Sequence, residues 1–578
     1  MANIEIIHRK KSKMWLIGGL ISGILLSVIA FFFLLYPFAS NEKQAYLTGE
    51  NPIIFSGKQQ GNAVLQNDSY YIPIQLIQEN LDSAIRYDEK SKSVIITTKD
   101  KVVQMPTDSL TYFVNEEPVT LQLSPVMTIN GQVYMAIDPL LALYPIQFTR
   151  LQESNGILIE HDGDSFIRAK VINKEMKKEK LRIRTKPDWQ SPYTAQLKKN
   201  EEVRIEGEKQ DYYLVRKADG IAGYIKKEYV NPGKKEEIKI VPERKTFALP
   251  KVDGPIHLTW EAVYTKNPDM AKIPEMTGIN VVSPTWFSLA GADGSIKNLA
   301  SLEYSQWAQS RGYQVWGVFS NSFDPDLTHQ AFKDYETRKN MVRQLLYYSR
   351  MYQLQGINFD IENVNPEDGP LVTQFMREAA PYLHDAGLVV SMDITFSAGE
   401  NNNWSSFYER TKLAEISDYL IVMAYDEHTG SSTGAGSVAS LPWVENNLEK
   451  LLTEVPNNKL ILGVPLYTRL WKEQTKSDGT TQVTSTALSM DQAKDWLASK
   501  GVQPVYDEQS GQNYAEYESP EENAVYKIWI EDESSLTKRA NLAAKNNLAG
   551  VASWSRFFAG DSAWTALQTA SNKNVTKK

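Results

Sequence analysis

Strand-like and helix-like segments alternate through the C-terminal half of the chain, from about residue 252 onward. The eight candidate strands, rich in β-branched and aromatic residues, are 256–260, 279–282, 314–319, 354–364, 389–395, 419–425, 460–464 and 550–554. The helical patterns between them include 333–352, 370–385, 441–454, 489–500 and 534–547. This alternation predicts a (β/α)8 TIM barrel with insertions. A doubly wound open sheet is the alternative, but it usually carries a glycine-rich phosphate loop, which the sequence lacks.

Apolar and polar side chains alternate in the fourth candidate strand, 354–364. The apolar residues are Ile357, Phe359 and Ile361, and the polar residues are Asn358, Asp360 and Glu362. Period two places the polar residues on one face, with the two carboxylates within about 7 Å of each other. Burying both is costly unless one holds a proton, and a protonated carboxyl near neutral pH is what a general acid needs. Loop-rim charges or cation ligands are the alternative interpretation.

Reactive groups of a TIM barrel lie at the carboxyl ends of its strands. The polar and aromatic residues near those ends are Trp260, Glu261, Trp286, Asp360, Glu362, Asp393, Met423, Tyr425, Asp426, Tyr467 and Trp554. Aromatic faces stack on pyranose rings and carboxylates transfer protons, so this set predicts a cleft for a sugar polymer. The alternatives are that the indoles are core residues and that Asp393 pairs with a buried arginine.

Two of these strands carry motifs that resemble glycoside hydrolase family 18, the chitinase-like family. The fourth-strand motif of the family is D-x-x-D-x-D-x-E; its last two acids correspond to Asp360 and Glu362, whereas Gln355 and Asn358 stand at the first two. The sixth-strand motif M-x-Y-D is intact at 423–426. The run Gly-Ile-Asn-Phe-Asp-Ile-Glu-Asn-Val is similar to the branch that contains spore-cortex lytic and germination proteins.

The resemblance implies a substrate-assisted, retaining hydrolysis in which the acetamido group of the substrate is the nucleophile. It implies that Glu362 is the general acid and base, that Asp360 orients the acetamido nitrogen, and that Tyr425 holds the acetamido oxygen. The further substrate contacts that we expect are Asn358, Asp426, Met423, Trp554, Trp260, Tyr467 and Trp286. No metal and no cofactor are expected. Asn358 departs from the family motif, because an amide cannot share a proton with Asp360 as a carboxylate does.

A charge-free run at 14–38 follows the basic residues of segment 1–13. About 25 apolar residues are long enough to span a bilayer, and the basic flank predicts that 1–13 is a cytoplasmic tail. We therefore expect a single-pass signal-anchor in the cell membrane of a Gram-positive-type bacterium, with the rest of the chain extracytoplasmic. A cleaved signal peptide is the alternative, although no good cleavage site is present.

Two small domains are predicted between this anchor and the barrel. Segment 45–162 contains a faint repeat, in which Tyr-Ile-Pro-Ile at 71–74 matches Tyr-Met-Ala-Ile at 134–137. It resembles the α+β copper amine oxidase N-terminal-like stalk domain, for which we expect a spacer or assembly role without copper. Segment 166–232 resembles an all-β bacterial SH3-like domain, a module that either binds the cell wall or supports its neighbours. A linker is predicted at 233–251, and the barrel at 252–570.

These features together predict a membrane-anchored glycosidase that cleaves β-1,4 bonds of N-acetylglucosamine-containing glycan. The expected partners are a polysaccharide, the cell wall through the SH3-like domain, and the membrane through the N-terminal helix. Peptidoglycan is favoured over chitin as the substrate because of the anchor and the SH3-like domain. The net charge of -8 argues against a nucleic-acid partner. The alternatives are a non-catalytic, lectin-like protein that binds wall glycan and a scaffold of the cell envelope.

Overall fold

A computed structural model describes residues 14–35, 38–241 and 245–572 of the chain. These residues form two compact units, of which the first contains the residues up to 83 together with 124–241. The second unit contains 84–123 together with 245–572. The segment predicted as a stalk, 45–162, is therefore divided between the two units.

The predicted transmembrane span begins with a helix, α1 (Met14–Leu35). Counted over the described residues alone, no helix has both the length and the apolar character needed to cross a membrane. The predicted membrane helix is not confirmed. The predicted cytoplasmic tail, 1–13, lies outside the described residues.

The part of the chain before residue 241 is mostly antiparallel sheet. In chain order its elements are β1 (Pro52–Phe55), β2 (Lys58–Asn62), β3 (Val64–Gln66), β4 (Ser69–Pro73), α2 (Ile74–Asn80), β5 (Arg86–Asp88), β6 (Ser93–Thr97), β7 (Val102–Pro106), β8 (Thr111–Val114), β9 (Glu117–Thr120), β10 (Val126–Ile129), β11 (Gln132–Ala136), α3 (Ile137–Leu143), β12 (Ile146–Arg150), β13 (Ile157–His161), β14 (Ser165–Val171), β15 (Arg182–Arg184), β16 (Tyr193–Gln196), β17 (Glu202–Lys209), β18 (Tyr212–Arg216), β19 (Ala222–Lys226) and β20 (Val230–Glu237).

The two halves of the predicted repeat pair with each other in the first unit. Strands β4 and β11 are antiparallel neighbours, with Tyr71 opposite Ala136 and Pro73 opposite Tyr134, and each runs directly into a short helix. A seven-stranded sheet, in the order β16-β15-β19-β18-β17-β14-β20, follows in the same unit. Because β20 ends at Glu237, the first residues of the predicted linker, 233–237, belong to this sheet instead.

The second unit contains the barrel and its insertions. After residue 245 the elements are β21 (Ile256–Glu261), β22 (Val281–Pro284), β23 (Phe287–Leu289), β24 (Ile296–Asn298), α4 (Leu302–Ser310), β25 (Gln314–Ser320), α5 (Pro325–Phe332), α6 (Tyr335–Met351), β26 (Gly356–Asp360), α7 (Gly369–Asp385), β27 (Val389–Ile394), α8 (Arg410–Ile416), β28 (Tyr419–Met423), α9 (Leu441–Leu451), β29 (Leu460–Pro465), β30 (Tyr467–Thr475), β31 (Thr481–Ser489), α10 (Met490–Lys500), β32 (Val505–Asp507), β33 (Gln512–Ser519), β34 (Ala524–Ile530), α11 (Glu533–Lys545), β35 (Gly550–Trp554) and α12 (Ser562–Asn572).

Eight parallel strands close into the predicted barrel. Their order is β21-β22-β25-β26-β27-β28-β29-β35, and β35 pairs with β21 to complete the ring. This closure excludes the open doubly wound sheet. The insertion between β29 and β35 was not predicted: a five-stranded antiparallel sheet, in the order β31-β30-β34-β33-β32. Helix α10, which we expected among the barrel helices, belongs to this insertion.

A small antiparallel sheet, β5 to β9, lies against α6 on the outside of the barrel. Ile95 of this sheet is fully buried in a cluster with Tyr335 at the start of α6. Polar contacts surround the cluster: the backbone N–H of Tyr335 donates to Asp88 at 3.0 Å, and Arg343 holds Glu116 through two bonds of 2.8 and 2.9 Å. The sheet is therefore a structural part of the second unit.

Truncation of Ile95 to alanine is expected to destabilise the second unit by about 3 kcal/mol, because it leaves a cavity against α6. Thermal unfolding followed by circular dichroism measures the effect. Leu110→Ala is the matched control, since Leu110 lies in the same segment and is 51% exposed. Equal unfolding temperatures for the two variants would show that the sheet contributes nothing to the stability of the barrel.

Candidate active site

The two carboxylates of the fourth strand lie at its carboxyl end, as predicted. Strand β26 starts at Gly356, where a Cβ atom would lie 2.8 Å from the Trp316 ring and 2.9 Å from the carbonyl oxygen of Val389. The strand ends at Asp360, and Glu362 follows it. Glycine thus allows the close approach of neighbouring strands that positions both acids at the rim of the barrel.

Burial and mutual repulsion perturb both acids. Burial raises the pKa of Asp360 to about 7. Burial also raises the pKa of Glu362 well above its ordinary value, and the nearby charge of Asp360 raises it further. A hydrogen bond between the two carboxyls lowers the pKa of Asp360 and raises that of Glu362. The shared proton therefore belongs to Glu362 near neutral pH, which is the state that a general acid requires.

Two residues that the sequence did not single out hold the backbone around Glu362. The side-chain oxygen of Asn321 accepts from the backbone N–H of Glu362 at 3.0 Å, and its amide nitrogen donates to the carbonyl of Glu362 at 2.7 Å. The Tyr408 hydroxyl donates to the carbonyl oxygen of Ile361 at 2.8 Å. These three hydrogen bonds fix the backbone of Ile361 and Glu362, and so the position from which the Glu362 side chain extends.

Asn358 is committed to a buried hydrogen-bond network on the next strand. Its amide nitrogen donates to Asp393 at 2.7 Å, and its oxygen accepts from the Ser391 hydroxyl at 2.6 Å. Asn358 is fully buried, and Asp393 is 2% exposed. The sequence allows Asp393 either to belong to the site or to pair with a buried arginine. The structure supports the first, because the groups that donate hydrogen bonds to Asp393 are Asn358 and the Trp260 indole.

Tyr425 lies beside the carboxyl cluster. Burial raises the pKa of its hydroxyl well above the ordinary value, and the charges of Asp393, Glu362 and Asp360 add to the effect. Its neighbour Asp426 is exposed, has a backbone φ of 62° and accepts a hydrogen bond from the Tyr467 hydroxyl. The M-x-Y-D motif thus brings a phenol into the site and a carboxylate to its edge; Met423, at the end of β28, is half-buried.

The three predicted indoles have different environments. Trp554 is half-buried, and its ring centroid lies 6.0 Å from that of Trp260, which is 1% exposed. Trp286 is also 1% exposed; its indole N–H donates to Asn267 at 2.6 Å, and its ring packs on Tyr304. The structure does not bring Trp286 into the site, because its ring is buried in the hydrophobic core with Tyr304. Trp260 supports Trp554 and Asp393 from behind and is too buried to contact substrate directly.

Exposed aromatic rings that the sequence did not single out occur on loops after four of the barrel strands. They are Tyr264, Phe323, Trp404 and Phe557, which are 77%, 41%, 49% and 68% exposed. All four loops lie at the carboxyl ends of their strands, on the same end of the barrel as the acids. Exposed rings in such positions can stack on sugars of an extended glycan.

Comparisons with known proteins identify three regions of the chain. Residues 306–559 match the model for glycosyl hydrolases family 18, residues 54–142 the copper amine oxidase N-terminal domain, and residues 179–231 the bacterial SH3 domain. All three resemblances drawn from the sequence are confirmed.

Two curated relatives come from Bacillus subtilis (strain 168). The "Uncharacterized glycosylase YvbX" is 27% identical over 300 residues, which cover 50% of this chain and 85% of that protein. The "Cortical fragment-lytic enzyme" is 27% identical over 267 residues, which cover 46% of this chain and 60% of that protein. Among solved structures, the C-terminal domain of a candidate chitinase from Desulfitobacterium hafniense DCB-2 has a TM-score of 0.50 at 22% identity, covering 56% of this chain and 100% of that domain.

Proposed function

We propose that this chain, whose C-terminal half is a family 18 glycoside hydrolase domain, cleaves β-1,4 bonds of peptidoglycan next to N-acetylglucosamine. The observation that carries the proposal is the Asp360–Glu362 pair at the carboxyl end of β26, in which burial and the charge of Asp360 raise the pKa of Glu362, with Tyr425 alongside. A lectin has no need of a buried carboxyl that keeps its proton. The name of the cortical fragment-lytic relative and the SH3 domain support peptidoglycan as the substrate.

In the proposed reaction, Glu362 donates its proton to the glycosidic oxygen while the bond from that oxygen to C1 of the sugar breaks. The acetamido oxygen of the same sugar attacks C1 and forms a cyclic oxazolinium ion. The Asp360 carboxylate accepts a hydrogen bond from the acetamido N–H and balances the positive charge, and the Tyr425 hydroxyl donates to the acetamido oxygen. Glu362, now ionised, removes a proton from water as it attacks C1, which restores the acid and retains the configuration.

The remaining predicted residues have supporting roles in this proposal. The half-buried face of Trp554 forms the floor beneath the reacting sugar. Asp426 and Tyr467, which are joined by a hydrogen bond, contact the substrate at the edge of the site. Asn358 acts through Asp393. The exposed rings of Tyr264, Phe323, Trp404 and Phe557 bind sugars farther along the glycan.

The proposed location is the outer face of the cytoplasmic membrane. This part of the proposal rests on the sequence alone, through the apolar run at 14–38 and the basic residues before it. The SH3 domain is proposed to bind the wall. Fractionation of cells that produce the full chain tests the anchor: recovery with membranes is expected, and release by salt alone would contradict it.

The activity is tested on the chain from residue 38 with three substrates: purified peptidoglycan, chitin oligomers and chemically de-N-acetylated chitin oligomers. New reducing ends are expected from peptidoglycan and fewer from chitin, with none from the de-N-acetylated oligomers, which lack the internal nucleophile. Proton NMR of the first product is expected to show the β anomer. Cleavage of the de-N-acetylated glycan, or an initial α anomer, would refute the substrate-assisted mechanism.

A bell-shaped dependence of kcat/KM on pH is expected. Activity requires ionised Asp360 and protonated Glu362. Because the pKa of Asp360 is raised to about 7, kcat/KM falls as the pH drops below that region and the carboxylate gains a proton. It falls again at higher pH when Glu362 loses its proton. Initial rates from pH 4 to 10 measure both limbs, which report the coupled pair rather than single residues; constant activity from pH 7 down to 5 would contradict the assignment.

A further inference from the structure

Asp393 is the second-last residue of β27, the strand next to the one that carries the two acids. Strands β26 and β27 are parallel, with Asn358 paired to Ser391 and Phe359 paired to Met392. The next residues along the two strands are Asp360 and Asp393. Paired residues of neighbouring parallel strands point to the same face and lie about 5 Å apart, so these two carboxyls are immediate neighbours.

Each of the two carboxyls has one buried oxygen that accepts no hydrogen bond from any described residue. For both Asp360 and Asp393 this atom is Oδ1. The other oxygen of Asp393, Oδ2, accepts from Asn358 at 2.7 Å, and the Ser391 hydroxyl fixes the orientation of that amide at 2.6 Å. A buried carboxylate oxygen without a donor is costly. One proton held between the two carboxyls gives both oxygens a partner.

We propose that Asp393 is a positioning residue that shares one proton with Asp360. The inference rests on the proposed function, because Asp360 is assigned there to the acetamido group. In the free enzyme the O–H of Asp393 donates a hydrogen bond to the Asp360 carboxylate, which stays ionised as the proposed reaction requires, and no covalent bond changes. The cluster of Asp360, Glu362 and Asp393 then holds two protons at neutral pH, so that the proton on Glu362 remains available for the leaving group.

The surroundings of Asp393 favour this protonation state. Burial raises the pKa of Asp393 well above its ordinary value, the charges of Asp360 and Glu362 raise it further, and the bonds from Asn358 and Trp260 lower it. The titratable groups that face Asp393 are Asp360 and Glu362 after β26, Tyr408 before α8 and Tyr425 after β28. Arg410 lies over the Tyr408 ring at 5.7 Å and acts on that phenol.

The pH profile of Asp393→Asn tests the inference. The variant is expected to lower kcat about 30-fold, the size of one weakened hydrogen bond to a charged group, and to move the acidic limb of kcat/KM to higher pH, because an amide N–H stabilises the Asp360 carboxylate less well than the shared acid proton. Ser391→Ala is the matched control: it alters the same network without removing a carboxyl, and both limbs are expected to stay in place. A lower rate for Asp393→Asn with an unmoved profile would reduce Asp393 to a structural role and overturn the inference.

Rescue gives a second test. In the double variant Asn358→Asp with Asp393→Asn, the carboxyl moves to β26 and the amide to β27, so the cluster regains its third acid. At least a 10-fold recovery of kcat over Asp393→Asn is expected, together with the return of the acidic limb to its wild-type position. If neither kcat nor the pH profile recovers in a double variant that circular dichroism shows to be folded, proton sharing is contradicted. If the double variant is not folded, the pH profile of Asp393→Asn alone decides.

An infrared difference spectrum of the glycan-free protein separates this inference from the proposed function. Wild type minus Asp393→Asn at neutral pH is expected to show the C=O band of one buried, protonated carboxyl. Persistence of that acid in the variant would overturn the inference even if hydrolysis is fully established. If the wild type cleaves none of the glycans, the proposed function fails, and the infrared band still decides whether the two aspartates share a proton.

Discussion

Glu362→Gln is expected to lower kcat about 1,000-fold, within the range that general acid–base catalysis contributes. The amide has the same shape as the carboxyl acid but cannot donate a proton to the glycosidic oxygen or take one from water. The bonds from Asn321 to the backbone of residue 362 do not involve its side chain, so the position of the residue is retained. Initial rates of reducing-end formation measure the loss.

Glycan binding by Glu362→Gln is expected to remain within about threefold of wild type, because the change acts on the transition state. Isothermal titration with a soluble peptidoglycan fragment measures this. Glu367→Gln is the matched control, since Glu367 is exposed and lies five residues further along. If the control and Glu362→Gln both retain more than a tenth of wild-type kcat, Glu362 is not the acid.

Asp360→Asn is expected to lower kcat/KM about 100-fold, because the acetamido N–H loses a charged acceptor and the oxazolinium ion loses its counter-charge. The same variant removes the carboxylate that raises the pKa of Glu362. We therefore expect the basic limb of the pH profile to move to lower pH. Rates on a soluble glycan from pH 4 to 10 measure both effects.

Asp326→Asn serves as the control for this second variant, because Asp326 is exposed at the start of α5. The control is expected to keep the wild-type rate and profile. Unchanged kcat/KM in Asp360→Asn would remove Asp360 from the mechanism. A lower rate with both limbs in their wild-type positions would leave Asp360 a role in binding but contradict its coupling to Glu362.

Local pattern was sufficient to predict the strand that carries the acids and the barrel around it. The alternation in 354–364 reports which side chains share a face, and the glycine at 356 marks the start of the strand. That shared face is sufficient to predict that Asp360 and Glu362 lie next to each other. Their perturbed pKa values also follow in direction, because any such pair at a barrel rim is buried and like-charged.

The contacts that complete the site depend on distances along the chain that no local pattern reports. The bond from Asn358 to Asp393 requires the register of two strands 35 residues apart, and Asn321 reaches Glu362 across 41 residues. Trp286 is buried because its ring packs on Tyr304 of α4, whereas its place near a strand end suggested a rim position. The inserted sheet was missed because α10 has the same pattern as a barrel helix.

The sheet of residues 86–120 affects what a protease can release. A single cut near Val241, whose side chain is 91% exposed, would break the chain between the SH3 domain and the barrel. The barrel would not diffuse away, because the segment 84–123 lies upstream of the cut and remains packed against α6 through Ile95, Asp88 and Glu116. The nicked protein would thus stay in one piece until that packing melts, so the stability of a sheet that contributes no residue to the candidate active site determines how long the two fragments remain together.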